Sequence, residues 1–308
     1  MDLDELRAMI PSETVRQYVL DTGWVFTDMQ KAALLYHSCL PLEEQYSYLR
    51  KLMVQTTDET LREQISNYLE QQERGLCAFK ENRENGHIYV LRIMDEESNG
   101  YDSIHPQGYF FRWDMAFAAG QQKGEPFQIE KCMVADAKMP SADDMEACAQ
   151  LCFDKDGRAS SFWSREVSFY EEENASFTHV FYEVPNPFER GDIVKLVGTE
   201  DYGIIENGQK DWREVISPEW RQSHYVDYSD VQIRVVFPNE EGTFYHEHID
   251  PVYLERCIID KDNTKSPLEQ LLLCASEIYR GTESFSFDGL YYYMTEYRKA
   301  KSMDGGNK

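Results

Sequence analysis

The sequence predicts an α+β protein in four parts: an N-terminal helical bundle, a small mixed α/β sheet unit, a small β-barrel and C-terminal helices. Three observations predict it. Apolar residues recur at helical spacing up to about residue 80 and again from Leu268. Between residues 87 and 254 the pattern shortens to brief runs, several of them alternating. Turns bearing glycine or asparagine separate those runs, as in antiparallel hairpins.

The helical part spans residues 1–82. Pro11 and Ser12 precede a helix with Val15, Tyr18 and Val19 on one face, and Asp21-Thr22-Gly23 stops it. Trp24 and Phe26 form an apolar corner. Thr27 with Gln30 makes a capping box for a helix carrying Ala32, Ala33, Leu35, Tyr36 and Cys39. Pro41 separates it from Glu43–Val54, with Tyr46, Leu49, Leu52 and Met53 inward. Asp58 caps a helix to about Lys80, which Gly75 is expected to break late. Helices with such short loops pack as a bundle or as paired hairpins.

The α/β unit covers residues 83–184. Strands are expected at His87–Met94, Phe127–Val134 and Phe177–Val184, and a short helix at Trp113–Gln122. Ser141 and Asp144 are expected to start a second helix running through Met145 and Ala149. Asp154-Lys155-Asp156-Gly157 turns a hairpin between Leu151–Phe153 and Ser160–Trp163.

The barrel, residues 185–260, follows Pro185 and Pro187. Its strands are Ile193–Val197, Tyr202–Ile205, Val231–Phe237 and Thr243–His246, with Ile249–Leu254 closing the end. Residues 209–230 form a long inserted loop. Residues 261–308 are helical: Ser266-Pro267 opens a helix with Leu268, Leu271, Leu272, Ala275, Ile278 and Tyr279 on one face. Gly281 ends it, and Phe285, Phe287, Leu290 and Tyr291 begin the last helix.

The run Arg190-Gly191-Asp192-Ile193-Val194, followed by Tyr202-Gly203-Ile204-Ile205, resembles the opening of SH3-like barrels, and the likeness extends over residues 188–257. Trp24-Val25-Phe26-Thr27-Asp28 with Lys31-Ala32, and Gly108-Tyr109-Phe110 with Ala116 and Ile129-Glu130-Lys131, are similar to a group of uncharacterised bacterial cytoplasmic proteins. The resemblance implies a barrel and no activity, so no site residue follows from it.

Composition narrows the function classes. The chain has 308 residues, 42% hydrophobic, with 20 Tyr, 16 Phe and 5 Trp, so it can build cores and is not a disordered acidic polymer. Its net charge of −25 comes from 31 basic and 56 acidic residues. Such a chain is repelled by bare phosphate backbones and anionic membranes, so neither nucleic-acid backbone nor membrane binding is expected. The acids are scattered, with short clusters at Asp95–Glu97 and Glu171–Glu173, as on a solvated surface. The sharper alternative is an acidic face that imitates nucleic acid and inhibits a protein with a basic groove.

The seven cysteines, Cys39, Cys77, Cys132, Cys148, Cys152, Cys257 and Cys274, are odd in number and lack Cys-x-x-Cys spacing. Met-Asp-Leu-Asp-Glu at the start has neither a basic nor an apolar targeting region. Free thiols in a reducing cytoplasm are the expectation.

No nucleophile elbow, phosphate loop, zinc knuckle or dinucleotide fingerprint is present, and no cofactor is expected. His246-Glu247-His248 is the candidate metal site, because residues two apart on a strand share a face. It needs a third ligand, for which His224, Asp250 and Asp227 are candidates. Against it, histidines at a strand end also serve as an ordinary polar rim. Cys148 and Cys152 lie one helical turn apart but are two ligands of one kind, better read as buried small hydrophobes. Asp154–Gly157 has its glycine at the wrong position for a calcium loop, and a hairpin turn explains it. Asp211-Trp212-Arg213 and Glu219-Trp220-Arg221 place two tryptophans, with Tyr225, in the barrel's insert, where a tryptophan plugs a gap or anchors a partner.

These observations lead to a non-enzymatic cytoplasmic binding protein whose partner is a protein, contacted through the insert with Trp212, Trp220 and Tyr225 or across the acidic surface. A metal-assisted hydrolase using His246 and His248 is the competing expectation.

Overall fold

A computed structural model describes residues 3–81, 87–94, 106–133, 147–165, 177, 186–207, 233–239, 243–260, 266–281 and 287–304. Among the described residues are eight helices and two open, five-stranded antiparallel sheets. The chain divides into two units: Thr27–Val180, and Met1–Phe26 together with Phe181–Lys308. The first two helices, α1 (Leu3–Met9) and α2 (Glu13–Thr22), therefore belong to the second of these units.

In the Thr27–Val180 unit the sequence signals act locally as expected. Thr27 and Gln30 close the capping box of α3 (Asp28–Tyr36), the two bonds measuring 2.9 and 3.2 Å. Helix α4 (Leu42–Gln55) follows Pro41. Asp58 Oδ1 accepts from the Leu61 N–H at the start of α5 (Glu59–Lys80), which runs through Gly75 without a break. Leu49, Leu61 and Ile65 are fully buried, each stabilising the unit by roughly 1.5–3 kcal/mol. Tyr36, Tyr46, Tyr68 and Phe177 meet edge-to-face beside them, at centroid distances of 5.6 to 6.2 Å.

The sheet of this unit holds β1 (His87–Ile93), β2 (Pro106–Phe110), β3 (Phe127–Met133), β4 (Ala147–Phe153) and β5 (Ala159–Ser164), in the order β2-β1-β3-β4-β5. The register carries Leu91, Ile129, Leu151 and Phe162 along one face, with Phe127 stacked on Phe153 at 4.7 Å. Helix α6 (Trp113–Gln121) lies against this face, with Ala116 and Gly120 buried and Phe117 against Phe127 and Phe153. A Cβ at Gly120 would stand 2.4 Å from the Phe127 ring, so no larger residue fits without displacing the helix. The opposite face carries a polar row: Arg92 pairs with Glu130 at 2.9 Å, Gln128 donates to Glu130 and Gln150 donates to Gln128.

The second unit contains β6 (Ile193–Leu196), β7 (Tyr202–Asn207), β8 (Ile233–Pro238), β9 (Phe244–Ile249) and β10 (Leu254–Arg256), in the order β10-β6-β7-β8-β9. Helix α7 (Pro267–Arg280) packs Leu272 and Ala275 on Ile193, Ile204 and Val236, and α8 (Phe287–Asp304) adds Leu290. Ser12 docks α2 beside β10: its Oγ donates to the Leu254 carbonyl at 2.6 Å and accepts from the Val15 N–H. The Glu255 carboxylate then accepts the Glu13 and Thr14 amides. Two otherwise orphaned donors at the start of α2 are thus satisfied by a strand some 240 residues away in sequence.

Besides the late break at Gly75, which does not occur, three expectations are corrected. The barrel expected at 185–260 is an open sheet in which β10 and β9 lie at opposite ends of the strand order. Helices α1 and α2, expected with the bundle of residues 1–82, belong instead to the unit of β6–β10, where Ser12 and Thr14 bond α2 to β10. Residues 147–149, expected as the end of a helix, begin strand β4, where Ala147, Ala149, Leu151 and Phe153 alternate and pair with β3; long-range pairing overrides the helix preference of alanine. The strand expected at 177–184 lies outside the described residues apart from Phe177, which is buried.

Candidate functional site

The candidate site lies on the edge strand β9 and its neighbours. Phe244 is part of the core beneath α7, which fixes the direction of the strand's alternation. His246 and His248 therefore share the α7 face, while Tyr245 and Glu247 take the other. The register extends the apolar row Ile193–Ile204–Val236 to His246, and the next row places Arg234 opposite His248. The two histidines lie within β9 rather than beyond its end.

A β-bulge completes the row. The β7–β8 register slips between Ile205 and Asn207, and Glu206 sits at the slip. Bulges re-aim a side chain without ending a strand, and here Glu206 is brought against both neighbouring strands. Its Oε2 lies 2.7 Å from Arg234 Nε and 3.1 Å from His246 Nδ1. The side chains are graded outward: Glu206 is 20% exposed, Arg234 39% and His246 43%. Glu206 Oε2 and Arg234 Nε are themselves sealed from solvent, and neither has a well-directed hydrogen bond. Their 2.7 Å approach is thus charge pairing off the hydrogen-bond line.

Two further groups close on this pair. The Gly191 N–H donates to the Ile205 carbonyl at 2.8 Å, which brings the preceding residue, Arg190, alongside the bulge. The Arg190 guanidinium stands 5.9 Å from the Tyr279 ring centre on α7. Burial, followed by the Glu206 charge, pushes the Tyr279 phenol above its ordinary range against the opposing pull of Arg190 and Arg234. At neutral pH that phenol is a hydrogen-bond donor.

The arrangement suits anions and hydrogen-bond acceptors better than cations. The Glu206 carboxylate lies at His246 Nδ1, so Nε2 is turned away from it. Arg234 already compensates the one carboxylate that a cation would use. Of the third ligands expected from sequence, Asp250 is buried and caps a 3-10 turn, Pro251–Tyr253, by accepting from the Val252 N–H at 3.0 Å. His224 and Asp227 lie outside the described residues, as do Trp212, Trp220 and Tyr225. Among the described residues no three His, Cys, Asp or Glu side chains gather so as to hold a metal ion.

The other sequence candidates are accounted for locally. Cys148 and Cys152 stand on strand β4, where Cys148 Sγ donates to the Lys131 carbonyl at 3.1 Å and Cys152 is buried. Asp154 Oδ1 accepts the Asp156 and Arg158 amides, and Gly157 has φ of 77°, which accounts for this segment as a turn. Sequence reasoning missed Arg190, Glu206, Arg234 and Tyr279 as a group. One signal was available: Arg234 is a charged residue in an otherwise apolar strand, on the face that Val236 shows to be covered.

Among the described residues no helix is long and apolar enough to cross a membrane. Comparison with protein-family models, with curated proteins and with solved structures gave no match in any of the three.

Proposed function

We propose that the chain is a non-enzymatic binding protein of the cytoplasm, which docks a protein partner along the β9 rim and through the insert carrying Trp212, Trp220 and Tyr225. One observation carries the reading. The polar side chains of the rim, Glu206, Arg234 and His246, are engaged with one another at 2.7 and 3.1 Å while His246 and Arg234 stay partly exposed. That is the pattern of a recognition surface, in which preset polar groups fix orientation and an exposed aromatic gives contact area. Tyr245, 38% exposed, supplies the aromatic from the other face of this edge strand, so a partner that wraps the strand's free edge meets both faces. The seven cysteines, odd in number and without Cys-x-x-Cys spacing, support a reducing compartment.

The test places a photocrosslinking amino acid at Tyr245 and, as a control, at the exposed Tyr291 of α8. A discrete adduct with one protein is expected from position 245 only, and it should be lost in the His246→Ala and Trp212→Ala backgrounds at unchanged thermal unfolding. Equal adducts from both positions, or adducts indifferent to both substitutions, would reject the reading.

A further inference from the structure

We propose that the rim formed by Arg190, Arg234, His246, His248 and Tyr279 binds a phosphate group, as the free anion or as a monoester. The inference shares the rim with the docking reading but not its partner, and each can fail alone.

The argument begins with charge. The chain carries −25 overall, so a place where cationic side chains outnumber acids needs a reason. Among the described residues, the contacts on this rim join the guanidinium groups of Arg190 and Arg234, the carboxylate of Glu206 and the two imidazoles. Glu247 points to the opposite face of the sheet. Two guanidinium groups stand against one carboxylate among these described groups, before the imidazoles are counted.

Geometry supplies the rest. A tetrahedral dianion needs several donors converging from different directions. Arg234 and His248 are direct cross-strand neighbours, which places their Cβ atoms about 5 Å apart. His246 lies one row along the same strand, on the same face, with Nε2 turned away from Glu206. Tyr279 on α7 and Arg190 in the turn before β6 stand 5.9 Å apart, ring centre to guanidinium, and the charges of Glu206, Arg190 and Arg234 all act on the Tyr279 phenol. Glu206 touches Arg234 and His246 through a single oxygen atom and so sets both side chains before any ligand arrives. It is the least exposed of the three and acts as a positioning residue beneath the donors. Preset donors lose less side-chain entropy on binding.

The overall negative charge opposes this ligand at long range. Screening removes most of that opposition at physiological ionic strength, where the Debye length is about 8 Å, whereas contact with the donors is little screened. The site therefore favours a compact phosphate over a polyanion such as nucleic acid, whose further phosphates would meet the acidic surface.

The experiment titrates histidine-labelled full-length protein with inorganic phosphate at 0.15 M ionic strength, set with sodium chloride, and follows the imidazole carbon resonances. Saturable shifts confined to the His246 and His248 signals are expected, identified by loss in His246→Asn and His248→Asn. Arg234→Gln should weaken binding about 10-fold. Arg190→Gln, an exposed position, keeps the test valid if Arg234→Gln unfolds, and should weaken binding about 3-fold. A phosphoserine peptide and a sugar phosphate form two further arms. Tighter binding of the peptide assigns the source to a phosphorylated protein, and tighter binding of the sugar phosphate assigns it to a metabolite. Absence of saturable shifts in wild type, or equal affinity in wild type and both arginine variants, overturns the proposal. Crosslinking at position 245 is read separately, so loss of one result leaves the other standing.

Discussion

Lys131 Nζ lies 2.6 Å from the Ala78 carbonyl oxygen, in the last turn of α5. It also reaches the Phe79 and Glu81 carbonyls at 3.3 Å. The ammonium group of a nearly buried strand residue thus caps the negative end of a 22-residue helix. Lys131→Met keeps the stem and removes the cap, leaving those carbonyls without their charged donor. The expected loss is about 2–3 kcal/mol, read as a lowered urea midpoint at constant slope. A midpoint within error of wild type would mean that water replaces the ammonium without cost.

Tyr89 supports the same helix end. Its hydroxyl donates to the Phe79 carbonyl at 2.7 Å and the Glu81 carbonyl at 3.1 Å, and Tyr89 faces Lys131 across the strands. Burial, then the neighbouring Cys148 and Glu81 charges, pushes the phenol from 10.0 up to about 12. The folded protein therefore keeps this proton at a pH where the unfolded chain has lost it. The stabilisation is intact below about pH 10 and is lost as pH rises towards 12, by on the order of 2 kcal/mol. Tyr89→Phe should flatten that part of the stability–pH curve, and an unchanged slope would reject the assignment.

How much of this was legible in the sequence depends on the range of the interaction. The Thr27–Gln30 capping box, the Asp58 cap, the Asp154 turn and the Gly281 stop of α7 are all local, and each occurs where its residues predict. That the second sheet stays open was not legible, since closure depends on twist and stagger that alternation alone does not fix. Nor was the attachment of α2 to β10, which rests on Ser12 and Thr14 meeting Leu254 and Glu255. At the site, the His246–His248 pairing on one face follows from strand period. Glu206 did not follow, because its direction is set by a bulge that a run of residues does not announce.

The cysteines should divide by burial. Cys39 and Cys77 are exposed, whereas Cys132 and Cys274 are buried. Burial, then the Glu130 charge, pushes the Cys132 thiol up to about 11, and burial also raises Cys274. Reaction requires the thiolate and access to it. At pH 8 an aromatic disulfide reagent should titrate Cys39 and Cys77 quickly, with Cys132 and Cys274 reacting only on unfolding. Peptide mapping of the labelled protein checks the order, and early labelling of Cys132 would contradict it.

Gly191 couples the sheet of the second unit to α7. Its φ is 84°, its carbonyl accepts from Ser276 Oγ at 2.5 Å, and a Cβ would stand 2.4 Å from Arg280 Cγ and 2.9 Å from the Ser276 carbonyl oxygen. The Arg280 stem is flexible, but the Ser276 backbone is not. Gly191→Ala adds about 1–2 kcal/mol of left-handed backbone strain to a displacement of α7. A total loss above about 2 kcal/mol is expected. Arg280→Ala should recover only part of it, since the backbone clash and strain remain. Full recovery in the double variant would place the whole cost on the Arg280 side chain.

Arg234 decides between anion and metal chemistry on the rim. Its guanidinium group occupies the carboxylate that a cation needs and adds a like charge beside both imidazoles. Zinc at equimolar concentration should therefore leave the thermal unfolding of wild type unchanged, and the purified protein should carry no stoichiometric metal. Arg234→Ala releases Glu206, so that one carboxylate and two imidazoles share the α7 face of the sheet, a donor set suited to zinc. In that variant zinc should raise the unfolding temperature and lose the effect when His248→Ala is added. Stoichiometric zinc in wild type, or zinc stabilisation indifferent to His248, would instead return the rim to the metal-assisted reading.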